Sequence, residues 1–475
     1  AFERRRIHPG CVSSPRNSDA ITRRRAFPDA APRRSRCSTT ICYRPLVSVP
    51  VQLSESETAV DAAVDAGGIR SLYVHAPFCA RRCFYCDFAV KVAPPNADEW
   101  LEALSCEFRA LETEGEFTLA SSLDTIYVGG GTPSLLGPAA MDGLARVVGP
   151  ERLQGADLEW TAEANPESFT EEVAAGWRRA GVTRVSLGIQ SFHEPSLRWM
   201  GRLHGADEAR SAVRIAREAG LTNVSIDLIF GLPENLGRDW EDDVGQALAL
   251  GADHVSLYGL TFEPTTPLGQ AVEAGRETPP SDRRYEREYL FAVDRLAEAG
   301  YEAYEVSNFA RASRSSRHNM IYWSGEPYLG VGNGAHSFKH PVRRWNFRDW
   351  DVYRAGVRGP APPVDGEERL DPDQRRLERI WLALRTRRGL SVEGLPPAAE
   401  RRTQRWIEDG LGNEEDGTLR LTPRGWLVMD RLTVELDGDF RGALTRSQSK
   451  SDLPAPLAGP LAGPITVPLG KFRDI

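Results

Sequence analysis

Three cysteines in one short segment have the spacing of a cluster-binding loop. Cys79, Cys83 and Cys86 follow the pattern Cys-x3-Cys-x2-Cys. Three thiolates at this spacing can bind three irons of a [4Fe-4S] cluster, and the fourth iron, with no further cysteine nearby, keeps an open coordination position. A zinc site with His75 as fourth ligand is the alternative, although structural zinc sites favour paired Cys-x2-Cys ligands. The segment therefore predicts an iron–sulfur cluster that can bind a small molecule.

Composition narrows the classes of protein to consider. The chain has 475 residues, 41% of them hydrophobic, and no stretch approaches 18 consecutive apolar residues, so no transmembrane segment is expected. Residues 1–45 contain eleven arginines and three acidic residues, which leaves about −16 on the remainder of a chain of net charge −8. This acidic body argues against general nucleic-acid binding. The other four cysteines show no disulfide framework, which favours a reducing compartment.

From residue 69 onward the sequence repeats an apolar strand, a turn and a helix. The predicted strands are Ser71–His75, Thr125–Gly129, Leu158–Glu163, Arg184–Gln190, Asn223–Ile229 and His254–Gly259. The predicted helices include Glu99–Thr113, Thr170–Ala180, Ala206–Ala219, Arg238–Leu250 and Ser281–Ala299. Six βα units predict an α/β fold, a parallel sheet wound by right-handed crossovers into a partial (βα)6 TIM-like barrel. Polar residues gather at the C-terminal strand ends, where such barrels hold their active sites.

The pattern divides the chain into five segments. The barrel takes residues 69–300, and a connecting region with aromatic and glycine residues takes 301–370. Residues 371–440 predict helices followed by a hairpin with Gly417 at its turn, much like a winged-helix domain. The Arg-rich N-terminal extension of residues 1–68 and the Pro- and Gly-rich tail of residues 441–475 are predicted to be disordered.

Two short motifs around the cysteines point to a known family. The runs His75-Ala-Pro-Phe-Cys79 and Tyr85-Cys86-Asp-Phe88 resemble the radical S-adenosylmethionine superfamily, in the branch that contains oxygen-independent coproporphyrinogen III oxidase and the HemW-type heme chaperones. The resemblance extends from about residue 71 to residue 436. It implies that the open iron chelates S-adenosylmethionine and that the reduced cluster cleaves it to a radical.

A glycine-rich turn, residues 129–133, follows the second predicted strand. Because glycine has no Cβ, a ligand could approach this backbone and use free N–H groups. Glu163 could accept hydrogen bonds from an ammonium or ribose group, or could instead be a helix cap or an ion-pair partner. The resemblance assigns Tyr73, Gly130 and Glu163 to the cofactor bound at the cluster. It assigns a second set to one or other of two cofactor molecules in the oxidase: Tyr85, Gly131, Thr132, Gln190, Arg202 and Asp227.

Two features distinguish the branches of this family. The oxidase pattern has one more cysteine two residues after the third ligand, where this chain has Phe88. The run His318-Asn-Met-Ile-Tyr322-Trp323 resembles the chaperone branch, and an imidazole beside aromatic side chains suits heme. His318 is therefore the candidate heme ligand and His336 the competing one. The alternative is a structural, hydrogen-bonded role for His318.

The sequence thus favours a heme chaperone that binds heme, a [4Fe-4S] cluster and S-adenosylmethionine. Its expected partners are heme-accepting proteins and an electron donor for the cluster. The alternative is an oxygen-independent coproporphyrinogen III oxidase, so the sequence leaves open whether the chain is an enzyme. An unrelated radical enzyme is a third hypothesis, because a fold does not determine function. We expect a cytoplasmic location, or an organelle if the Arg-rich N-terminus is a transit peptide.

Overall fold

The computed structural model describes residues 67–448. Residues 1–66 of the predicted extension and 449–475 of the predicted tail lie outside this part. The strands are β1 (Ser71–Ala76), β2 (Phe78–Cys79), β3 (Lys91–Val92), β4 (Thr125–Gly130), β5 (Glu159–Ala164), β6 (Arg184–Gln190), β7 (Asn223–Phe230), β8 (His254–Gly259), β9 (Glu302–Glu305), β10 (Asn308–Ala310), β11 (Leu329–Val331), β12 (His336–Lys339), β13 (Val342–Asn346), β14 (Val364–Arg369), β15 (Leu390–Ser391), β16 (Gly412–Glu415) and β17 (Thr418–Leu421). The helices are α1 (Ala97–Glu114), α2 (Ala140–Val148), α3 (Glu171–Ala180), α4 (Glu194–Met200), α5 (Ala206–Glu218), α6 (Trp240–Ala249), α7 (Pro267–Glu273), α8 (Asp282–Glu298), α9 (Arg317–Ser324), α10 (Trp350–Gly356), α11 (Pro372–Arg385), α12 (Pro397–Glu408), α13 (Pro423–Trp426) and α14 (Met429–Gln448).

A nine-stranded sheet in the order β11-β1-β4-β5-β6-β7-β8-β10-β9 forms the centre of the fold. Neighbouring strands from β11 to β8 are parallel, whereas β10 pairs antiparallel with β8 and β9. The six predicted strands are β1 and β4 to β8, and β6 and β8 have the predicted bounds. The predicted α/β fold with a parallel sheet is confirmed.

Apolar and polar residues alternate along the strands, so the sheet has two different faces. Every second residue, such as Leu72, Ile126 and Trp160, is buried in one apolar core with helix residues. The residues between them are polar, as Thr125 and Glu163 illustrate, and point to the opposite face. Helices cover the apolar face, so the polar side chains are collected on the concave face of the sheet.

The segment after residue 301 contributes more to the sheet than its predicted role as a connection suggests. Strands β9, β10 and β11 all join the central sheet, and β11 pairs with β1 at its outer edge, with Gly330 opposite Tyr73. These strands have only three or four residues. So short a run carries no readable alternation, because two residues of one face are all that it offers.

The C-terminal segment forms the predicted helices and hairpin. Strands β16 and β17 pair around Asp416 and Gly417, which both have positive φ, as a tight two-residue hairpin turn requires. Helix α14 continues to Gln448, so the prediction of disorder from residue 441 is wrong for residues 441–448. An ion pair at 2.7 Å between Arg441 and Asp437, one turn apart, stabilises the helix there.

One arginine connects the C-terminal segment to the sheet. Arg385, at the end of α11, lies between the rings of Trp323 and Trp381, at 4.0 and 5.3 Å from their centroids. Its guanidinium is 2.8 Å from the carboxylate of Glu305, whose side chain is fully buried. The guanidinium therefore neutralises a charge that is out of contact with water.

Replacing Arg385 by alanine should lower the free energy of unfolding by about 3–5 kcal/mol, because it leaves the buried Glu305 carboxylate unpaired. Urea unfolding measures the change. Arg387→Ala is the matched control, since its partner Glu302 is 71% exposed and the loss should stay below about 1 kcal/mol. Equal effects of the two substitutions would contradict the role given to Arg385.

Candidate cluster and cofactor site

The cysteines lie in a loop that follows β1 at the C-terminal edge of the sheet. At its base β2 pairs in parallel with β3. Further along, the Phe84 amide donates to the Met200 carbonyl and its carbonyl accepts from the Leu268 amide, both at 3.0 Å. Backbone hydrogen bonds to two other segments thus determine where the loop presents its thiols.

The three thiols have surroundings that suit a cluster. Cys79, Cys83 and Cys86 are free and half-buried. Burial, with the other two sulfurs nearby, raises the pKa of Cys86 to about 12. The Thr132 hydroxyl lies 3.5 Å from the Cys79 sulfur, and an Arg202 N–H donates to the Cys83 sulfur at 3.8 Å. Such donors stabilise thiolates that bind iron, so the donor set fits a [4Fe-4S] cluster.

His75 is not available as a fourth ligand for zinc. Its Nδ1 lies 3.0 Å from the Tyr73 hydroxyl and its Nε2 lies 3.0 Å from the Ala89 carbonyl. Burial lowers the pKa of this imidazole to about 4, so it is neutral near pH 7. The ring orders the end of the cluster loop, and the zinc alternative loses its fourth ligand.

Other protein groups occupy the side-chain positions of the glycine turn. A Cβ on Gly130, at φ +101°, would lie 2.2 Å from the His75 ring, and one on Gly131 would lie 2.6 Å from the Ala76 carbonyl oxygen. From Gly130 onward, three successive N–H groups donate to Glu163 and to two carbonyls of the cluster loop. The structure thus contradicts the prediction of free N–H groups. The glycines are needed because other protein groups fill the space of their side chains.

Acidic and phenolic side chains line the concave face next to this turn. Tyr73, Tyr127, Glu163 and Asp227 all keep part of their surface accessible. Burial raises the pKa of Glu163 to about 7, opposed by a hydrogen bond from Tyr127. Burial also raises the pKa of Asp227, which accepts a hydrogen bond from Ser186 at 3.2 Å. This face can therefore receive a polar ligand.

A small cleft beside the cluster loop gathers a second group of predicted residues. Cys83, Thr132 and Arg202 line it together with Asn165 and Glu167. One nitrogen of Arg202 donates to the Asn165 side chain and to a backbone carbonyl, both at 2.6 Å. The cleft thus places a fixed cation beside the cluster loop.

Gln190 has two features that are typical of ligand-binding residues. It ends β6 with a left-handed backbone (φ 69°), which is rare for a residue other than glycine. Its buried side-chain oxygen has no hydrogen-bond partner among the described residues. Unsatisfied buried oxygens are costly and concentrate where a ligand binds.

Tyr85, near Arg202 and Cys83, has its pKa raised by burial.

Three further residues belong to this site and were not predicted. Tyr127 contacts Glu163. Asn165 contacts Arg202, and Glu167 contacts His204. Position 127 could have been found, because in β4 it shares the inward face with Gly129, the first glycine of the turn. The contacts of residues 165 and 167 depend on a loop conformation that no sequence pattern specifies.

His318 lies at the N-terminal end of the sheet, at the opposite end of β4 from the glycine turn. Its Nδ1 is 2.8 Å from the hydroxyl of Thr125, the first residue of β4, and its Nε2 is 2.8 Å from the Tyr322 hydroxyl. The side chain is fully buried, and burial lowers its pKa to about 3. At about 3.3 Å per residue, the length of β4 separates it from the glycine turn by roughly 17 Å. This geometry favours the structural alternative for His318.

Two family models match the chain. The model "Radical SAM superfamily" covers residues 73–246, and the model "HemN C-terminal domain" covers residues 370–428. The chain is 38% identical over 371 residues to "Heme chaperone HemW" of Mycobacterium tuberculosis, across 77% of this chain and 94% of that protein. It is 32% identical to the Bacillus subtilis protein of the same name, across 79% of this chain and all of that protein.

The chain belongs to the HemW family of radical S-adenosylmethionine proteins. As members of that superfamily, these proteins carry a [4Fe-4S] cluster with S-adenosylmethionine. The Danio rerio protein "Radical S-adenosyl methionine domain-containing protein 1, mitochondrial" is 37% identical over 290 residues, 61% of this chain and 64% of that protein. The solved coproporphyrinogen III oxidase (HemN) of Escherichia coli shares the fold, with a TM-score of 0.65 at 21% identity over 81% of this chain and 94% of that one.

Each of Cys79→Ala, Cys83→Ala and Cys86→Ala should lose most of the iron and sulfide, because a cluster with two thiolate ligands is poorly held. Iron and sulfide per chain after anaerobic reconstitution measure this. Cys106→Ala is the control, since Cys106 lies on α1 outside the loop. Full iron content in Cys83→Ala would refute the ligand assignment.

Gly130→Ala should destabilise the protein by more than about 2 kcal/mol, because strain at positive φ adds to a clash with the His75 ring. Gly115→Ala isolates the strain, since Gly115 has φ +83° and open space around it. It should cost only about 1–2 kcal/mol. Urea unfolding compares the two variants, and equal losses would show that His75 moves aside freely.

Proposed function

We propose that the chain is a heme chaperone, which binds heme and transfers it to acceptor proteins. The observation that carries this proposal is the match across 94% of a relative named "Heme chaperone HemW". The structure adds a compatible site: three free thiols in one fixed loop beside a polar concave face. The cluster loop has Phe88, half-exposed at 51%, where the oxidase pattern has a further cysteine.

We assign the cofactor contacts as follows. Cys79, Cys83 and Cys86 would hold the cluster. S-adenosylmethionine would lie between the cleft and the concave face, where Gln190 offers a buried unpaired oxygen and Arg202 a cation. The contacts proposed for it are Tyr73, Tyr85, Gly130, Gly131, Thr132, Glu163, Gln190, Arg202 and Asp227. When bound, the cluster and S-adenosylmethionine supply electron transfer and radical chemistry, while the protein supplies orientation and charge.

We propose His336 rather than His318 as the heme ligand. His336 is half-buried, and its Nδ1 has no hydrogen-bond partner among the described residues. Its ring lies nearly parallel to Trp345, with centroids 5.9 Å apart. Burial, with Arg343 and Arg348 nearby, lowers the pKa of His336 to about 4, so the imidazole is neutral and can bind iron near pH 7. The aromatic ring of Trp345 suits the apolar macrocycle.

Further components of the proposal concern partners and location. Heme-accepting proteins and an electron donor for the cluster would be the partners. In the part of the chain that the structure describes, no helix has both the length and the apolar character to cross a membrane. We infer a cytoplasmic location. A transit peptide in residues 1–45 is the alternative, and it lies outside the described residues.

Heme titration tests the ligand. His336→Ala should shift the Soret band and weaken heme binding. His318→Ala should leave the Soret band unchanged while lowering the free energy of unfolding by about 2 kcal/mol or more, because it leaves the Thr125 and Tyr322 hydroxyls unpaired. A changed Soret band in His318→Ala, with the parent spectrum in His336→Ala, would show that His318 on α9 is the heme ligand.

The oxidase alternative has its own test. Anaerobic protein with a full cluster, S-adenosylmethionine and a reductant should form no protoporphyrinogen from coproporphyrinogen III, while heme should pass from the loaded protein to a heme-free acceptor. Product formation at the rate of an authentic oxidase would reverse the order of the two functions.

A further inference from the structure

The side chain of Tyr127 on β4 orients the carboxylate of Glu163. The Tyr127 hydroxyl donates to Glu163 Oε1 at 2.7 Å, while the Gly130 amide donates to Oε2 at 3.1 Å. Both oxygens are thereby fixed, one by the glycine turn and one by a side chain on β4. Without Tyr127 the carboxylate would keep a single anchor and could rotate about its last bond.

The ring of Tyr127 in turn packs against His318 of helix α9. The two rings stack with centroids 5.3 Å apart and an interplanar angle of 28°. The imidazole cannot turn away, because its ring nitrogens are bonded to Thr125 and Tyr322. The ring of Tyr127 also stacks on Tyr73, its partner in the pairing of β4 with β1, at 6.2 Å. A continuous column of rings thus extends from α9 to the cofactor face.

We infer that Tyr127 is a positioning residue for S-adenosylmethionine: it aligns the Glu163 carboxylate, and the imidazole of His318 keeps Tyr127 in place. This rests on the proposed role of Glu163 as a contact of that cofactor. It also gives the motif of α9 a task in this chain that needs no heme.

The charge of Glu163 makes this role measurable. A carboxylate accepts hydrogen bonds from an ammonium or hydroxyl group best when ionised. The pKa of Glu163 is already near 7, and the Tyr127 hydrogen bond lowers it. The other ionisable groups that influence it are Asp227 on β7, Arg184 on β6, Tyr258 on β8 and Tyr322 on α9. Removing the hydroxyl therefore raises the pKa, and ionisation then requires a higher pH.

Tyr127→Phe tests the inference, because it keeps the stacked ring and removes only the hydroxyl. Equilibrium dialysis of reconstituted protein with S-adenosylmethionine from pH 6 to pH 9 should show about tenfold weaker binding near pH 7. The midpoint of the pH dependence should move to higher pH, so that much of the affinity returns at pH 9. Parent affinity, or a loss that is equal at every pH, would overturn the positioning role.

Two controls separate this inference from its premises. Tyr289→Phe removes another buried hydroxyl, which donates to the Val306 carbonyl at 2.8 Å, and should bind the cofactor as the parent does. Glu163→Gln should bind weakly and without pH dependence in this range. If Glu163→Gln binds as the parent does, the proposed cofactor contact fails, whatever Tyr127→Phe shows. His318→Ala should shift the pH midpoint in the same direction as Tyr127→Phe. An unchanged midpoint would show that His318 does not keep Tyr127 in place.

Discussion

A parallel sheet that buries apolar residues under its helices has to present its remaining side chains to the opposite face. In this chain those side chains are Tyr, Thr, Glu, Asp and His on successive strands, and they meet on the concave side. Polar groups out of water need partners, and several inward residues are hydrogen-bonded to side chains of the neighbouring strand. Tyr127 to Glu163 and Ser186 to Asp227 are two such pairs. The cofactor face is a consequence of how the core is buried.

Charge on this face is kept low by the same burial. His75, His254 and His318 are fully enclosed, and burial lowers the pKa of each. Arg184, buried at the start of β6, disfavours a proton on His254 and His318 as well. The imidazoles therefore act as neutral hydrogen-bonding groups that order backbone and rings. A second cation, Arg202, lies near the sulfurs and faces the cluster loop.

The two ends of the sheet have different tasks. The C-terminal edge carries the cluster loop, the glycine turn and Gln190. The N-terminal edge is closed by α9, whose Trp323 contacts Arg385 of the C-terminal segment. Through Arg385, Glu305 and the ring column, the C-terminal segment contacts the elements that support the cofactor face. In the motif of α9 that resembles a heme ligand, both ring nitrogens of His318 are within hydrogen-bond distance of hydroxyl groups.

Local patterns in the sequence were enough to determine the α/β fold, the six parallel strands and the cysteine loop. Alternation and short-range spacing are properties of neighbouring residues, and they survive without knowledge of the fold. The strands β9 to β11 are too short for such a signal, and their place in the sheet depends on partners more than 200 residues away in the case of β11 and β1. Only the tertiary structure decided that both nitrogens of His318 are occupied, that His336 has one without a partner and that the glycine N–H groups are used internally. Each of these facts is a distance between residues remote in sequence, and residue type and spacing do not encode it.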